Sequence, residues 1–202
     1  MTLEVLLAFI AYAFVTSITP GPNNSMLLTS GLNYGFTRSL PHILGVSIGF
    51  ALMVVGVGAG LGGLFAAYPL LYSALRIGGA VYLLYLAWLI AMARPMEDSV
   101  EISRPFGFWT AAGFQWVNPK AWIMAMGAIT NYAPAEGGLA AVIFLAIIFA
   151  LINAPSVSLW VIFGARLRRY LSNPRYLRFF NLSMAGLLVL SLYPLMFECC
   201  SG

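Results

Sequence analysis

Long apolar stretches, separated by short polar or turn-forming segments, set the pattern of this chain. Six of them run roughly over residues 3–31, 40–66, 70–93, 106–130, 137–164 and 179–198. Each reaches the roughly 20 residues that a helix needs to cross about 30 Å of hydrocarbon. The charged and turn-forming residues collect between them. Arg94-Pro95-Met96-Glu97-Asp98 through Arg104-Pro105 reads as one loop, Arg166 through Arg178 as another, and Tyr132 through Gly138 as a short turn. The pattern predicts an all-α, polytopic membrane protein with six transmembrane helices in a single transmembrane domain, residues 1–202.

Composition removes the soluble alternatives. Hydrophobic residues make up 61% of the 202 residues and charged residues 8%, against roughly 45–50% and about 25% in soluble domains. Mean hydropathy is +0.91. Neither a soluble globule nor a disordered chain carries that balance, so the expected surroundings are a lipid bilayer. The net charge of +4 then marks topology and not a nucleic-acid partner. Cys199 and Cys200 are adjacent near the end, where neighbouring thiols bridge only with strain; they read as two thiols without a framework role. The start, Met1-Thr2-Leu3-Glu4, lacks a positive region, and its apolar run exceeds signal length, so it reads as a retained first span.

Arginine placement predicts orientation. Arg38, then Arg94 and Arg104, then Arg166, Arg168, Arg169, Arg175 and Arg178 follow the first, third and fifth stretches, and only Arg76 falls on the other side. The positive-inside rule puts those three loops in the cytoplasm and both termini outside it. A shift of about 99 residues lays the first stretch on the fourth and the second on the fifth, with a looser match of third to sixth. Three spans per half is an odd number. The halves, residues 1–95 and 104–202, are therefore expected as two inverted three-helix repeats. Glycines inside the spans, such as Gly45 and Gly49, read as packing residues that let helix backbones approach.

Two interruptions match under that shift. The first stretch contains Thr19-Pro20-Gly21-Pro22-Asn23-Asn24 and the fourth contains Asn118-Pro119-Lys120, with Pro20 and Pro119 99 residues apart. Proline removes a backbone donor and clashes with the preceding turn, so helices 1 and 4 are expected to be broken. Broken backbone at membrane depth survives only when buried in protein or lining a cavity, and corresponding breaks in two halves point to a transporter's binding site. Asn118-Pro119 has the form of a helix cap followed by a first-turn proline, and Thr19-Pro20 is expected to act likewise. The second half-helices would then turn positive N-terminal ends toward a shared pocket suited to a carboxylate.

Lys120 is the only lysine and lies about ten residues, or roughly 15 Å of helix, from the nearer end of its span. An intramembrane cation is a functional candidate by default. Glu4 and Glu198 lie at the edges of their stretches and the other acidic residues in loops, so no carboxylate falls mid-membrane, which disfavours a dibasic substrate. A substrate ammonium would rest on freed carbonyls, asparagine oxygens or aromatic faces such as Trp116 and Trp122. His42, the only histidine, is a candidate proton relay, although a histidine near an interface also serves as a polar anchor. The expected substrate site comprises Thr19, Pro20, Gly21, Pro22, Asn23, Asn24, Asn118, Pro119 and Lys120. The residues hold no metal-ligand set, no nucleophile with a base and no phosphate loop; neither a cofactor nor an enzymatic activity is expected.

These segments resemble the LysE/RhtB family of bacterial amino-acid exporters. Thr19-Pro20-Gly21-Pro22-Asn23 is similar to the family's first-helix signature and Asn118-Pro119-Lys120-Ala121 to its fourth. Gly79 through Trp88 is similar to its third-helix pattern, with Ala87 where that pattern carries glycine. The opening stretch is most similar to the branch exporting cysteine and O-acetylserine. The resemblance implies efflux of a small neutral amino acid or related zwitterionic metabolite across the bacterial inner membrane, driven by the proton gradient; a homo-oligomer is compatible with it. The alternative is a membrane substrate-capture subunit of an ATP-driven importer, comparable in size, which would need a partner and would not need matched breaks.

Overall fold

The computed structural model describes residues 1–61, 67–92, 106–134, 137–167 and 174–190. Among them the chain is all helical: α1 (Leu3–Ile18), α2 (Pro22–Tyr34), α3 (Leu40–Gly56), α4 (Pro69–Met92), α5 (Phe108–Gln115), α6 (Pro119–Tyr132), α7 (Gly138–Leu167) and α8 (Pro174–Leu190). Each expected apolar stretch overlaps one helix or one pair of consecutive helices. The loop from Arg94 to Arg104, Arg168 and Arg169, the tail of the sixth stretch past residue 190, and Cys199-Cys200 lie outside the described residues.

The helix boundaries follow local chemistry. Thr2 caps α1, its hydroxyl accepting from the Val5 amide at 3.4 Å. Gly35 closes α2 with φ of 79°, a left-handed value that favours glycine. A short turn, Thr37–Ser39, leads into α3, whose first turn holds Pro41. Two boundaries differ from expectation. Within the described part of the second stretch, α3 stops at Gly56 and widens into a π-type turn, Val57–Leu61, where Gly60 takes φ of 108°; residues 62–66 lie outside the described residues. The glycine-rich run Gly56-Val57-Gly58-Ala59-Gly60 favours α-helix too weakly to prevent that widening. The sixth helix begins at Pro174, so Arg175 and Arg178 sit on α8 and not in a loop, while Arg166 belongs to the last turn of α7. Proline at a helix start explains the earlier onset.

Burial is inverted relative to a soluble protein. Leu44, Ile48 and Leu52 on α3, and Ile143, Ile147 and Leu151 on α7, present apolar side chains outward. Asn33, His42, Ser47, Gln115 and Asn153 are buried instead. Residues Thr37–Leu61 and Gly138–Leu167 are each long and apolar enough to cross a bilayer, and α1 with α2 does so as a pair bent by 57°.

At the centre lies α2, buried on every side from Met26 through Asn33. One apolar cluster joins Phe9, Phe50, Trp122 and Phe149 from α1, α3, α6 and α7; a second joins Met26, Leu86, Phe114 and Leu188 from α2, α4, α5 and α8. Backbone contact sets the α2–α7 crossing. A Cβ at Gly31 would strike the Val161 carbonyl, and one at Gly164 the Leu28 carbonyl. Gly45 and Gly49 meet α5 in the same way, at Phe108 and Ala112. These are packing glycines, as their spacing suggested.

Candidate functional site

The first break is short. Thr19 leaves the helix with φ −64° and ψ 145°, the extended form that a following proline imposes. Gly21 is also extended, and α2 begins at Pro22. This corrects one expectation. Thr19 does not cap the start of the second half-helix; it ends the first, and Gly21 occupies the cap position without a side-chain bond. Pro22 takes the first-turn place expected of Pro20, because two prolines compete for it and only the later one leaves Gly21 outside the helix. The second break behaves as expected. Asn118 caps α6, its Oδ1 accepting from the Lys120 amide at 3.1 Å, with Pro119 in the first turn.

A helix end leaves four carbonyls without intrahelical partners. At the end of α1, side chains answer them. Thr19 Oγ1 donates to the Thr16 carbonyl at 3.0 Å. Asn24 Nδ2 donates to Ser17 and Thr19 carbonyls, both at 2.8 Å. Trp160 Nε1 reaches the Ile18 carbonyl at 3.2 Å. Lys120 Nζ donates to the Thr19 carbonyl at 2.7 Å, the Thr19 hydroxyl at 2.9 Å and the Pro20 carbonyl at 3.3 Å. The ammonium therefore sits at the negative end of the α1 dipole, a favourable place for a cation. The two breaks are tied again by a reciprocal amide pair: Asn23 Nδ2 donates to Gln115 Oε1 at 2.8 Å, and Gln115 Nε2 to Asn23 Oδ1 at 3.1 Å.

Between the breaks is a small polar cavity of about 20 Å³, room for a water molecule and not for an amino acid. Gly21, Asn23 and Asn24 border it from the first break, and Asn118 and Lys120 from the second. The third side comes from unbroken helices, with Phe50 of α3 and Asn153 and Val157 of α7. Thus Gly21, Asn23, Asn24, Asn118 and Lys120 of the expected set share one space, which the starts of both second half-helices reach. Thr19, Pro20, Pro22 and Pro119 shape the breaks without lining it. Neither Trp116 nor Trp122 lines it; Trp122 Nε1 instead donates to the Trp116 carbonyl at 2.8 Å, closing the end of α5. A larger hollow of about 570 Å³, bordered by Met1, Leu6, Pro134 and Phe144, carries no polar side chain that would hold a zwitterion.

Sequence reasoning missed Gln115, Ser17, Trp160 and Asn153. Gln115 and Asn153 carry a legible signal, as lone amides inside apolar stretches; Trp160 does not, because tryptophan is at home in any membrane helix.

The LysE type translocator family matches residues 14–192. The chain belongs to that family. It is a transmembrane amino-acid exporter and not an enzyme, as expected. It is 35% identical to the cysteine/O-acetylserine efflux protein of Salmonella choleraesuis (strain SC-B67), over 94% of this chain and 96% of that one. The corresponding efflux protein of Escherichia coli (strain K12) is 32% identical over the same shares. No solved structure matches.

In this LysE-family chain His42 stands apart from the cavity. It is fully buried on α3. Nδ1 lies 2.8 Å from Ser30 Oγ of α2, Nε2 has no hydrogen-bond partner among the described residues, and the ring meets Phe106 edge-on at 5.3 Å. Among the described residues no group of His, Cys, Asp and Glu is arranged to hold a metal ion.

Proposed function

We propose that this LysE-family protein exports small neutral amino acids or related metabolites through a site between its broken helices. The observation that carries the reading is the single cavity bordered by both breaks and by Lys120, with no acidic side chain among its lining residues. The start of α2 has no side-chain cap, so its leading backbone N–H groups suit a carboxylate, and Lys120 supplies the opposing charge. The names of the relatives support a small polar amino-acid derivative as cargo. Family membership sets aside the importer-subunit alternative.

In this reading the chain forms six spans in the bacterial inner membrane, as two inverted repeats with both termini outside the cytoplasm. The cavity is too small for cargo as it stands, so transport in this reading requires a more open form. Rocking of one repeat against the other opens the site to alternate sides. The substrate carboxylate draws Lys120 from the Thr19 and Pro20 carbonyls, which loosens the first break as cargo arrives. Export is driven by protons, and His42, bonded to Ser30 of α2, is the relay.

Reconstitution in vesicles with a panel of labelled amino acids tests this, with and without an imposed pH gradient. Saturable transport of small neutral amino acids, accelerated by the gradient, is the expected result. Transport restricted to dibasic amino acids would refute the site.

A further inference from the structure

Every α-amino acid shares a carboxylate and an ammonium group, so the parts of the cavity made by helix ends and Lys120 cannot tell one substrate from another. Discrimination must come from whatever faces the side chain. The wall contributed by the unbroken helices has three members, Phe50, Asn153 and Val157. Two are apolar and only Asn153 is polar. It is 4% exposed, and two serines from different helices fix its amide. Asn153 Nδ2 donates to Ser17 Oγ at 3.1 Å, and Ser47 Oγ donates to Asn153 Oδ1 at 3.2 Å. An asparagine amide has two donors and two acceptor positions. Each anchor uses one, leaving one N–H and one lone pair for a guest on the wall that Asn153 shares with Phe50 and Val157, opposite Thr16, Ser17, Ala121 and Met124 of the broken helices.

Resting on the site proposed above, we infer that Asn153 is the specificity-determining residue. It selects small amino acids whose side chain carries a hydrogen-bonding group, a hydroxyl, thiol or ester carbonyl, over branched apolar side chains of the same size. A branched hydrocarbon against Asn153 would strip the amide of water and return no hydrogen bond. A cationic side chain would find no carboxylate in the lining.

The test is competitive transport of labelled serine and valine in vesicles by purified protein. Asn153→Ala is expected to lower the serine-to-valine ratio by about tenfold, the size of one hydrogen bond to a buried group. Asn153→Ser, which keeps a hydrogen-bonding group, should hold the ratio within about threefold of the parent by the same argument. An unchanged ratio in Asn153→Ala, including an equal fall for both substrates, overturns the inference. Should that variant fail to insert, Ser47→Ala decides: it frees the amide without touching the cavity, and an unchanged ratio there is equally fatal. Lys120→Ala separates this inference from the site itself. Loss of both substrates in Lys120→Ala supports the site whatever Asn153 does; wild-type transport of both removes the site, and the selectivity inference with it.

Discussion

Lys120, at the start of α6, donates from Nζ to the carbonyl of Thr19, the residue that ends α1, at 2.7 Å. The bond spans 101 residues of sequence and joins the two helix breaks directly. A lysine inside an apolar stretch thus has acceptors already, supplied by a helix that proline has cut. The same ammonium borders the cavity, so it is placed to exchange backbone carbonyls for a substrate carboxylate.

Lys120→Ala is therefore expected to reduce amino-acid export by about tenfold or more, since charge-assisted hydrogen bonds contribute ~1.5–3 kcal/mol. Lys120→Arg should not rescue it, because a planar guanidinium is bulkier than an ammonium beside Gly21. Initial rates in vesicles, normalised to inserted protein, check both. Rates equal to those of single arginine variants such as Arg166→Ala would reduce Lys120 to a structural residue.

Asn24 tests the carbonyl end of α1 from the other side. Its Nδ2 holds the Ser17 and Thr19 carbonyls, and the residue is buried. Asn24→Ala leaves both without that donor and is expected to cost ~1–3 kcal/mol. Asn24→Asp, nearly identical in shape, should be worse, because it turns an acceptor toward two carbonyl oxygens. Thermal unfolding in detergent should rank the parent above Ala and Ala above Asp.

The breaks were legible because proline and glycine act locally: Pro20, Pro22 and Pro119 announce their effect without reference to any neighbour. The cap at Asn118 was legible for the same reason. Thr19 was misassigned because two successive prolines offer two starts, and the choice between them depends on Lys120 binding the freed carbonyls across the fold and on Asn24 binding them from the next helix. Asn153 and Gln115 were legible as amides inside apolar stretches, but not the partners 92 or more residues away that fix them; Trp160, bonded to the distant Ile18 carbonyl, carried no signal of its own. The burial of His42 was hidden too; its position near the start of a stretch suggested an interface, whereas Ser30 and Phe106 enclose it.

The α2–α7 crossing sets how rigidly the site is held. At Gly164 an added side chain meets the Leu28 backbone and not a movable side chain, so relief requires the helices to part. Gly164→Val is expected to abolish stable insertion, and Gly164→Ala to lower the unfolding temperature, by an overpacking cost of ~1–3 kcal/mol. Yield and melting in detergent measure this. A parent-like melt for Gly164→Val would mean that α2 and α7 are not in backbone contact.

His42→Gln addresses proton coupling. Glutamine can keep a hydrogen bond to Ser30 but cannot bind and release a proton near neutral pH. Export driven by an imposed pH gradient should fall to the rate seen without one, while exchange of labelled for unlabelled substrate at equal pH persists. Equal loss of both activities would assign His42 to packing alone.

Gly21→Ala isolates the position of the lysine from its charge. The backbone at Gly21 is extended, with φ 176° and ψ 178°, a conformation open to any residue, so alanine adds no backbone strain. What it adds is a methyl group 2.8 Å from Lys120 Cδ and 3.2 Å from Nζ. Those atoms belong to a flexible side chain, which can swing aside at little cost to the fold. In doing so it must leave the Thr19 and Pro20 carbonyls. The expected outcome is a protein that inserts and melts within about 1 kcal/mol of the parent, as for a tolerated small substitution, yet exports about tenfold more slowly, as one lost charged hydrogen bond implies. Gly21→Ala combined with Lys120→Ala should be no slower than Lys120→Ala alone, since the methyl group then displaces nothing. Additive losses in the double variant would place the effect of Gly21 elsewhere and detach it from the lysine.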